Sequence, residues 1–206
     1  MFWILERPLV VDINIVYGTL NIDPNANVWE TKKCESCQRT RVIRQNNDLS
    51  LDLYGMELQN FVWIDDAQII VDEVLADLIE KSSITGLNLR KTQINSWYQS
   101  NLKTKMVEDV LNRKPTPKLY QFEVHGTGGS LWQENNLQAN DVCNICELPK
   151  LKPPTNISVN KAYWDRSDIF TMREFPGIYL ITEKFSQSLK LNNIKNYRLV
   201  NPTNRL

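Results

Sequence analysis

A chain of 206 residues suits one large domain or two small ones in close contact. Its hydrophobic content of 42%, with six Trp, seven Tyr and six Phe, is enough to bury a core. The 24 basic and 24 acidic residues cancel, which argues against a dedicated nucleic-acid binder, and no run approaches the roughly 18 apolar residues of a membrane span.

In chain order, residues 2–6 and 9–16 read as strands, rich in β-branched and aromatic side chains and broken at Pro8. The first residues show no basic segment, long apolar stretch or small-residue cleavage site, so a cytoplasmic location is expected. Asp23-Pro24-Asn25-Ala26-Asn27 is a turn, and a short polar approach leads to Cys34. Residues 39–44 and 49–54 are strands; Leu49, Leu51 and Leu53 alternate with polar residues, the period of a half-buried strand. Ile69-Ile70-Val71 is a short buried strand. Asp72 then caps a helix over 73–81, which places Val74, Leu75, Leu78 and Ile79 on one face. Thr85-Gly86 ends it, and Leu87-Asn88-Leu89 opens the next strand.

Residues 96–114 are ambiguous, but Leu102, Met106, Val107, Val110 and Leu111 fit a helical stripe closed by Pro115 and Pro117. Residues 119–124 alternate as a strand, and the His125-Gly126-Thr127-Gly128-Gly129 run is a flexible turn. Residues 149–154 form a stiff connector. Further on, Thr182 caps a second helix with Phe185 and Leu189 inward, Asn192-Asn193 is its exit, and 201–206 is a loose tail.

The four cysteines form two Cys-x-x-Cys turns, Cys34/Cys37 and Cys143/Cys146. This spacing lets two sulfurs of one turn reach one tetrahedral ion, with metal–sulfur bonds of about 2.3 Å. Four thiolates make a closed, structural zinc site, here a long-range staple, since 143 − 34 = 109 residues. In a reducing cytosol metal binding is favoured over disulfides. The competing reading is buried thiols or two incomplete sites. A redox pair is disfavoured, because neither pair shows a strand running directly into a helix that begins at the first cysteine.

The same offset recurs beyond the cysteines. Phe61 and Phe170 are also 109 apart (170 − 61), and each lies 24 residues after its knuckle (61 − 37 and 170 − 146). Each is followed by a strand, a helix and a strand, with one inserted residue near Ile181 shifting the later offset to 110. The chain reads as a diverged internal duplication, with halves 1–114 and 115–206.

Other candidates are weighed against plainer readings. His125, the single histidine, suits a strand end beside a loop better than catalysis, because no serine or cysteine nucleophile signature accompanies it. The nearby glycines fit no phosphate-binding pattern. Asp65, Asp66, Asp72, Glu73, Asp77 and Glu80 make an acidic stretch, read as a solvated face and a helix cap, or as a patch that steers a basic partner. Lys103, Lys105, Arg113, Lys114 and Lys118, with Trp97, Tyr98 and Tyr120 as stacking surfaces, suit RNA binding or a solvated face, and Glu108 and Asp109 interrupt the basic run.

Cys34/Cys37, Asn60-Phe61-Val62-Trp63, Ile84-Thr85-Gly86, Cys143/Cys146, Ser167-Asp168-Ile169-Phe170 and Phe175-Pro176-Gly177-Ile178 together resemble the double-CXXCG immunity proteins of bacterial polymorphic toxin systems, best known from myxobacteria. The likeness spans most of the chain. It departs at the glycine that follows each pair, where this chain has Gln38 and Glu147; that glycine eases a positive-φ turn. The resemblance implies a non-enzymatic cytoplasmic protein that binds a cognate toxin and blocks it.

The expectation is therefore an α+β protein of two similar halves in one compact body, each a mostly antiparallel sheet with one packed helix. Cys34, Cys37, Cys143 and Cys146 hold one structural zinc, and Asp65, Asp66 and Asp77 contact the toxin. The alternatives are a zinc-stapled nucleic-acid-binding module and, behind it, an enzyme using His125.

Overall fold

The computed structural model describes residues 1–9, 14–20, 29–38, 40–44, 49–64, 68–101, 106–111, 115–128, 143–145, 157–172 and 175–202. Over these described residues it is a mixed α+β structure, mostly sheet with two helices. Residues 65–67 and 102–105, Cys146 and the 149–154 connector lie outside the described residues.

Two four-stranded arrays share one plan. The first runs β6 (Phe61–Trp63), β7 (Ile69–Asp72), β11 (Leu119–Val124), β8 (Leu87–Lys91), antiparallel throughout. The second runs β13 (Ile169–Met172), β14 (Phe175–Thr182), β1 (Phe2–Glu6), β15 (Arg198–Val200), also antiparallel, with β12 (Thr127–Gly128) added parallel at its edge. In each array the second strand leads directly into a nine-residue helix, α1 (Glu73–Lys81) or α2 (Glu183–Leu191). Thus β1 lies in the later array and β11 in the earlier one, so a division at 114/115 leaves neither sheet complete.

The helices start where their side chains cap them. Asp72 accepts the Leu75 amide at 2.9 Å, and the Thr182 hydroxyl accepts that of Phe185 at 3.4 Å, each satisfying a free first-turn donor. On α1 the buried residues are Leu75, Ala76 and Ile79; Val74 faces water at 62% exposure, against the expectation. The β-strand entry sets the rotation of the helix and turns Val74 outward.

Inner faces of both arrays and the buried faces of both helices meet in one core, built from Leu5, Phe61, Val71, Leu75, Phe122, Ile169, Ile181, Phe185 and Leu189 among others. The outer face of the first array (Val62, Ile70, Leu119) packs on a third sheet, β10 (Met106–Asp109), β9 (Gln93–Asn101), β5 (Ser50–Tyr54), β2 (Tyr17–Leu20). Phe170, Leu180 and Ile4 on the outer face of the second array are covered by Ile157 and Trp164.

Several expectations are corrected. Residues 10–13 of the strand read over 9–16 lie outside the described residues, and residues 14–16 are not in a strand; β2 begins just beyond, at Tyr17. Where the helical stripe is expected within 96–114, the described residues are the antiparallel strands β9 and β10, because β9 pairs in parallel with β5 and thereby buries Trp97; Leu102 lies outside the described residues. The polar approach to Cys34 is β3 (Trp29–Lys33), which pairs with β4 (Thr40–Arg44). Gly126 is a site of close packing rather than a flexible turn: a Cβ there would lie 2.2 Å from the Ile169 carbonyl oxygen.

A candidate metal centre

The β3–β4 ribbon carries the first knuckle at its tip: Lys33 pairs with Thr40, and Cys34-Glu35-Ser36-Cys37 makes the turn. The Gln38 amide donates to the Cys34 carbonyl at 2.9 Å and the Gln38 side-chain amide to the Glu35 carbonyl at 2.8 Å. Gln38 has φ 60°, the left-handed conformation for which glycine is the usual choice. The knuckle turn therefore forms on glutamine, with its side chain closing the loop.

The Sγ atoms of Cys34, Cys37 and Cys143 all lie within 4.8 Å of one another. Cys34 and Cys143 are 3.6 Å apart, far outside the roughly 2.05 Å of a disulfide. A tetrahedral ion with bonds of about 2.3 Å spaces its sulfurs at roughly 3.8 Å, so the donor set fits such an ion. Cys143 is fully buried, while Cys34 and Cys37 are partly exposed. Ser36 Oγ faces Asn144 Oδ1 at 3.4 Å across the two knuckles. The backbone amides of Cys37 and then Ser36 point at the Cys34 sulfur and hold its thiol below the ordinary value, which favours the thiolate a metal needs. Three of the four expected ligands thus converge, and Cys146 is outside the described residues.

The other candidates separate. Asp65 and Asp66 are outside the described residues, and Asp77 is exposed and paired with Lys81 at 3.4 Å, one turn along α1. Asp72 serves as the cap of α1, and Glu73 pairs with Lys118, so that basic residue is engaged. His125 is exposed, and its backbone amide donates to the Gly86 carbonyl. Trp97 is buried, with its indole N–H on the Gly55 carbonyl, and Tyr120 packs against the shared core. Tyr98 stacks on Tyr54, which stacks in turn on Tyr17, so both faces of Tyr54 are covered.

Compared with known proteins, the chain matches no family model and no curated protein.

One feature that sequence reasoning missed is Asp168. Its Oδ2 accepts from the Thr85 amide (3.1 Å), the Thr85 hydroxyl (3.1 Å) and Lys184 Nζ (2.8 Å), and its Oδ1 from the Thr182 hydroxyl (2.9 Å). Asn60 makes a similar bridge: its Nδ2 donates to Asp72 Oδ2 at 3.0 Å, and its Oδ1 accepts the Lys195 amide at 2.9 Å. Each joins the cap of its own helix to the exit of the other helix. The only signal in the sequence is a polar residue immediately before a buried strand.

Proposed function

We propose that the chain is a metal-stapled binding protein and acts as an immunity protein, capturing and blocking a toxin made by its own cell. The convergence of Cys34, Cys37 and Cys143 carries the metal part of this reading. Zinc is the expected ion, with Cys146 as the fourth thiolate, since a closed all-thiolate tetrahedron suits a redox-silent structural metal. The toxin part rests on the motifs shared with double-CXXCG immunity proteins. The positive φ of Gln38 supports it, because the turn takes the shape for which those proteins use glycine.

The internal duplication belongs to the same reading. Register pairs Phe61–Val71, Val62–Ile70 and Trp63–Ile69 have counterparts in Ile169–Ile181, Phe170–Leu180 and Thr171–Tyr179, offset by 108 (169 − 61) and 110 (181 − 71). Both helix exits repeat as well: Ser83 and Asn193 have positive φ, as do Gly86 and Asn196, each pair 110 apart. A duplicated unit that exchanged its leading strand accounts for both arrays.

Three experiments test the function. The protein is expected to hold one zinc per chain, and Cys143→Ser to lose the metal together with several kcal/mol of stability; a metal-free native protein with four titrating thiols and full stability overturns the staple. Co-expression with the product of the adjacent upstream gene is expected to rescue growth from that product's toxicity, and the two are expected to co-purify. A harmless neighbour, or unrelieved toxicity, overturns the immunity reading. Reversing charge at Asp65, Asp66 and Asp77 is expected to slow association at low salt.

A further inference from the structure

The outer face of the third sheet carries a row of side chains that neither the metal centre nor the core uses. Register aligns Tyr17 with Tyr54, Tyr54 with Tyr98 and Tyr98 with Asp109, across β2, β5, β9 and β10. Partners in register share a face. Leu53 and Trp97, one position back on β5 and β9, pack into the core, so the row lies on the opposite side. The rings stack, with centroids 5.4 Å apart for Tyr17 and Tyr54 and 5.2 Å apart for Tyr54 and Tyr98. Tyr98 therefore keeps one open face, on the β10 side, where Asp109 stands.

This row reaches solvent. Tyr17 is 44% exposed and Met56, two residues beyond Tyr54, 51%. Tyr54 and Tyr98 are partly exposed, and Asp109 is exposed. The three phenol hydroxyls have no partner among the described residues. Asp109 is held in place from behind: its Oδ1 accepts the Trp97 and Leu111 amides, each at 3.1 Å, while Oδ2 has no donor among the described residues. Asp52, on the same face two residues before Tyr54, adds a second negative charge. Its Oδ1 accepts from Asn95 at 2.9 Å and from Ser96, and no cation pairs with it among the described residues. A ring face beside a fixed, unpaired carboxylate is complementary to a flat cation. A guanidinium covers an aromatic face and still turns in-plane N–H groups to a carboxylate, which the compact ammonium of lysine does less well. A nucleobase would stack there but bring its phosphate to negative charge. Tyrosine and methionine around such a slot are the residues enriched where proteins meet.

We propose that this face docks a partner protein through an arginine, its guanidinium on the open face of Tyr98 and paired with Asp109. That the partner is the toxin rests on the immunity reading; the arginine slot does not. Binding of the full-length, metal-loaded chain to the product of the adjacent upstream gene is measured by interferometry for the parent, Asp109→Asn, Tyr98→Leu and Tyr98→Phe, each variant first being shown to melt as the parent does. Asp109→Asn, which keeps an oxygen for the two amides, and Tyr98→Leu are each expected to raise Kd roughly tenfold, mainly through faster dissociation, and Tyr98→Phe, which keeps the ring face, to stay within about twofold. Parental affinity in both Asp109→Asn and Tyr98→Leu overturns the proposal. A neighbour that does not bind the parent overturns the immunity reading alone, and a second arm then decides: nuclear magnetic resonance titration with N-acetylarginine amide against N-acetylcitrulline amide. The Tyr98 ring signals are expected to move with the arginine compound only, and to stay still in Asp109→Asn. No shift at millimolar concentration, or equal shifts with the uncharged analogue, overturns the slot. So does a dimer that Tyr98→Leu dissolves, or single-stranded RNA that moves the same ring signals, since either gives the face to another occupant.

Discussion

Gly86 and Ser186 show how single residues are constrained by their neighbours. Gly86 has φ +94°, and a Cβ there would lie 2.1 Å from the Ile169 carbonyl oxygen. Gly86→Ala is therefore expected to destabilise the protein by about 2–4 kcal/mol, from the strained φ together with a backbone clash. Urea unfolding measures it, and a loss below half a kcal/mol would refute this account. Ser186 occupies the place on α2 that Ala76 occupies on α1 (186 − 76 = 110), and its hydroxyl is buried without a partner among the described residues. Ser186→Ala removes that unsatisfied group, and a gain of about 1–2 kcal/mol is expected in the same assay. Neither constraint can be read locally, because in both cases the deciding atoms come from elsewhere in the chain.

Among elements, the two helices were the most legible. Their caps, Asp72 and Thr182, and the starts at Glu73 and Glu183 follow from capping chemistry ahead of an apolar period. What ties the helices to the opposite unit was not legible, since Asp168 meets Thr85 across 83 residues. Burial pushes the Asp168 carboxyl up, but the Lys184 ammonium, the Thr85 amide and the Thr182 hydroxyl outweigh it, and the group titrates below its ordinary range. A depressed folded value means that its stabilisation is complete above the ordinary aspartate value, near pH 4, and is lost as pH falls through the folded value. Asp168→Asn is expected to cost about 1–3 kcal/mol at neutral pH and to flatten the acid limb of the stability curve. Thermal melts from pH 7 to about pH 2 measure both; an unchanged acid limb would remove the role given to this carboxylate.

At the scale of the whole molecule, the placement of β1 in the later array and of β11 in the earlier one makes the two arrays interdependent. Fragments 1–114 and 115–206 are each expected to lack a cooperative transition alone, because each sheet would lose an interior strand. Mixed, they are expected to recover one, with the two strands and the cysteine cluster as the links. Circular dichroism melts of the separate and mixed fragments check this; a cooperative melt of either fragment alone contradicts it. The shared core makes the same demand, since Leu5 and Phe122 each fill a sheet otherwise built by the other half.

The sequence by itself determined the Cys34/Cys37 turn, both helix caps, most of the strands around them and the recurrence of a strand–helix–strand unit, because these follow from local spacing and periodicity. Tertiary structure decided the register and the partners. Alignment of Phe61 with Phe170 at 109 residues places them on opposite faces: Phe61 lies in the shared core and Phe170 in the outer cluster. A one-residue slip inverts every side chain of a strand, and pairing across the sheet, which composition does not encode, selects the face. The strand pair that replaced the helical stripe has the same cause, for β9 is fixed by its parallel partner β5 rather than by its own period. Convergence of Cys143 on Cys34 and Cys37 is likewise a product of the folded chain, which brings sulfurs 109 residues apart to within bonding range of one ion.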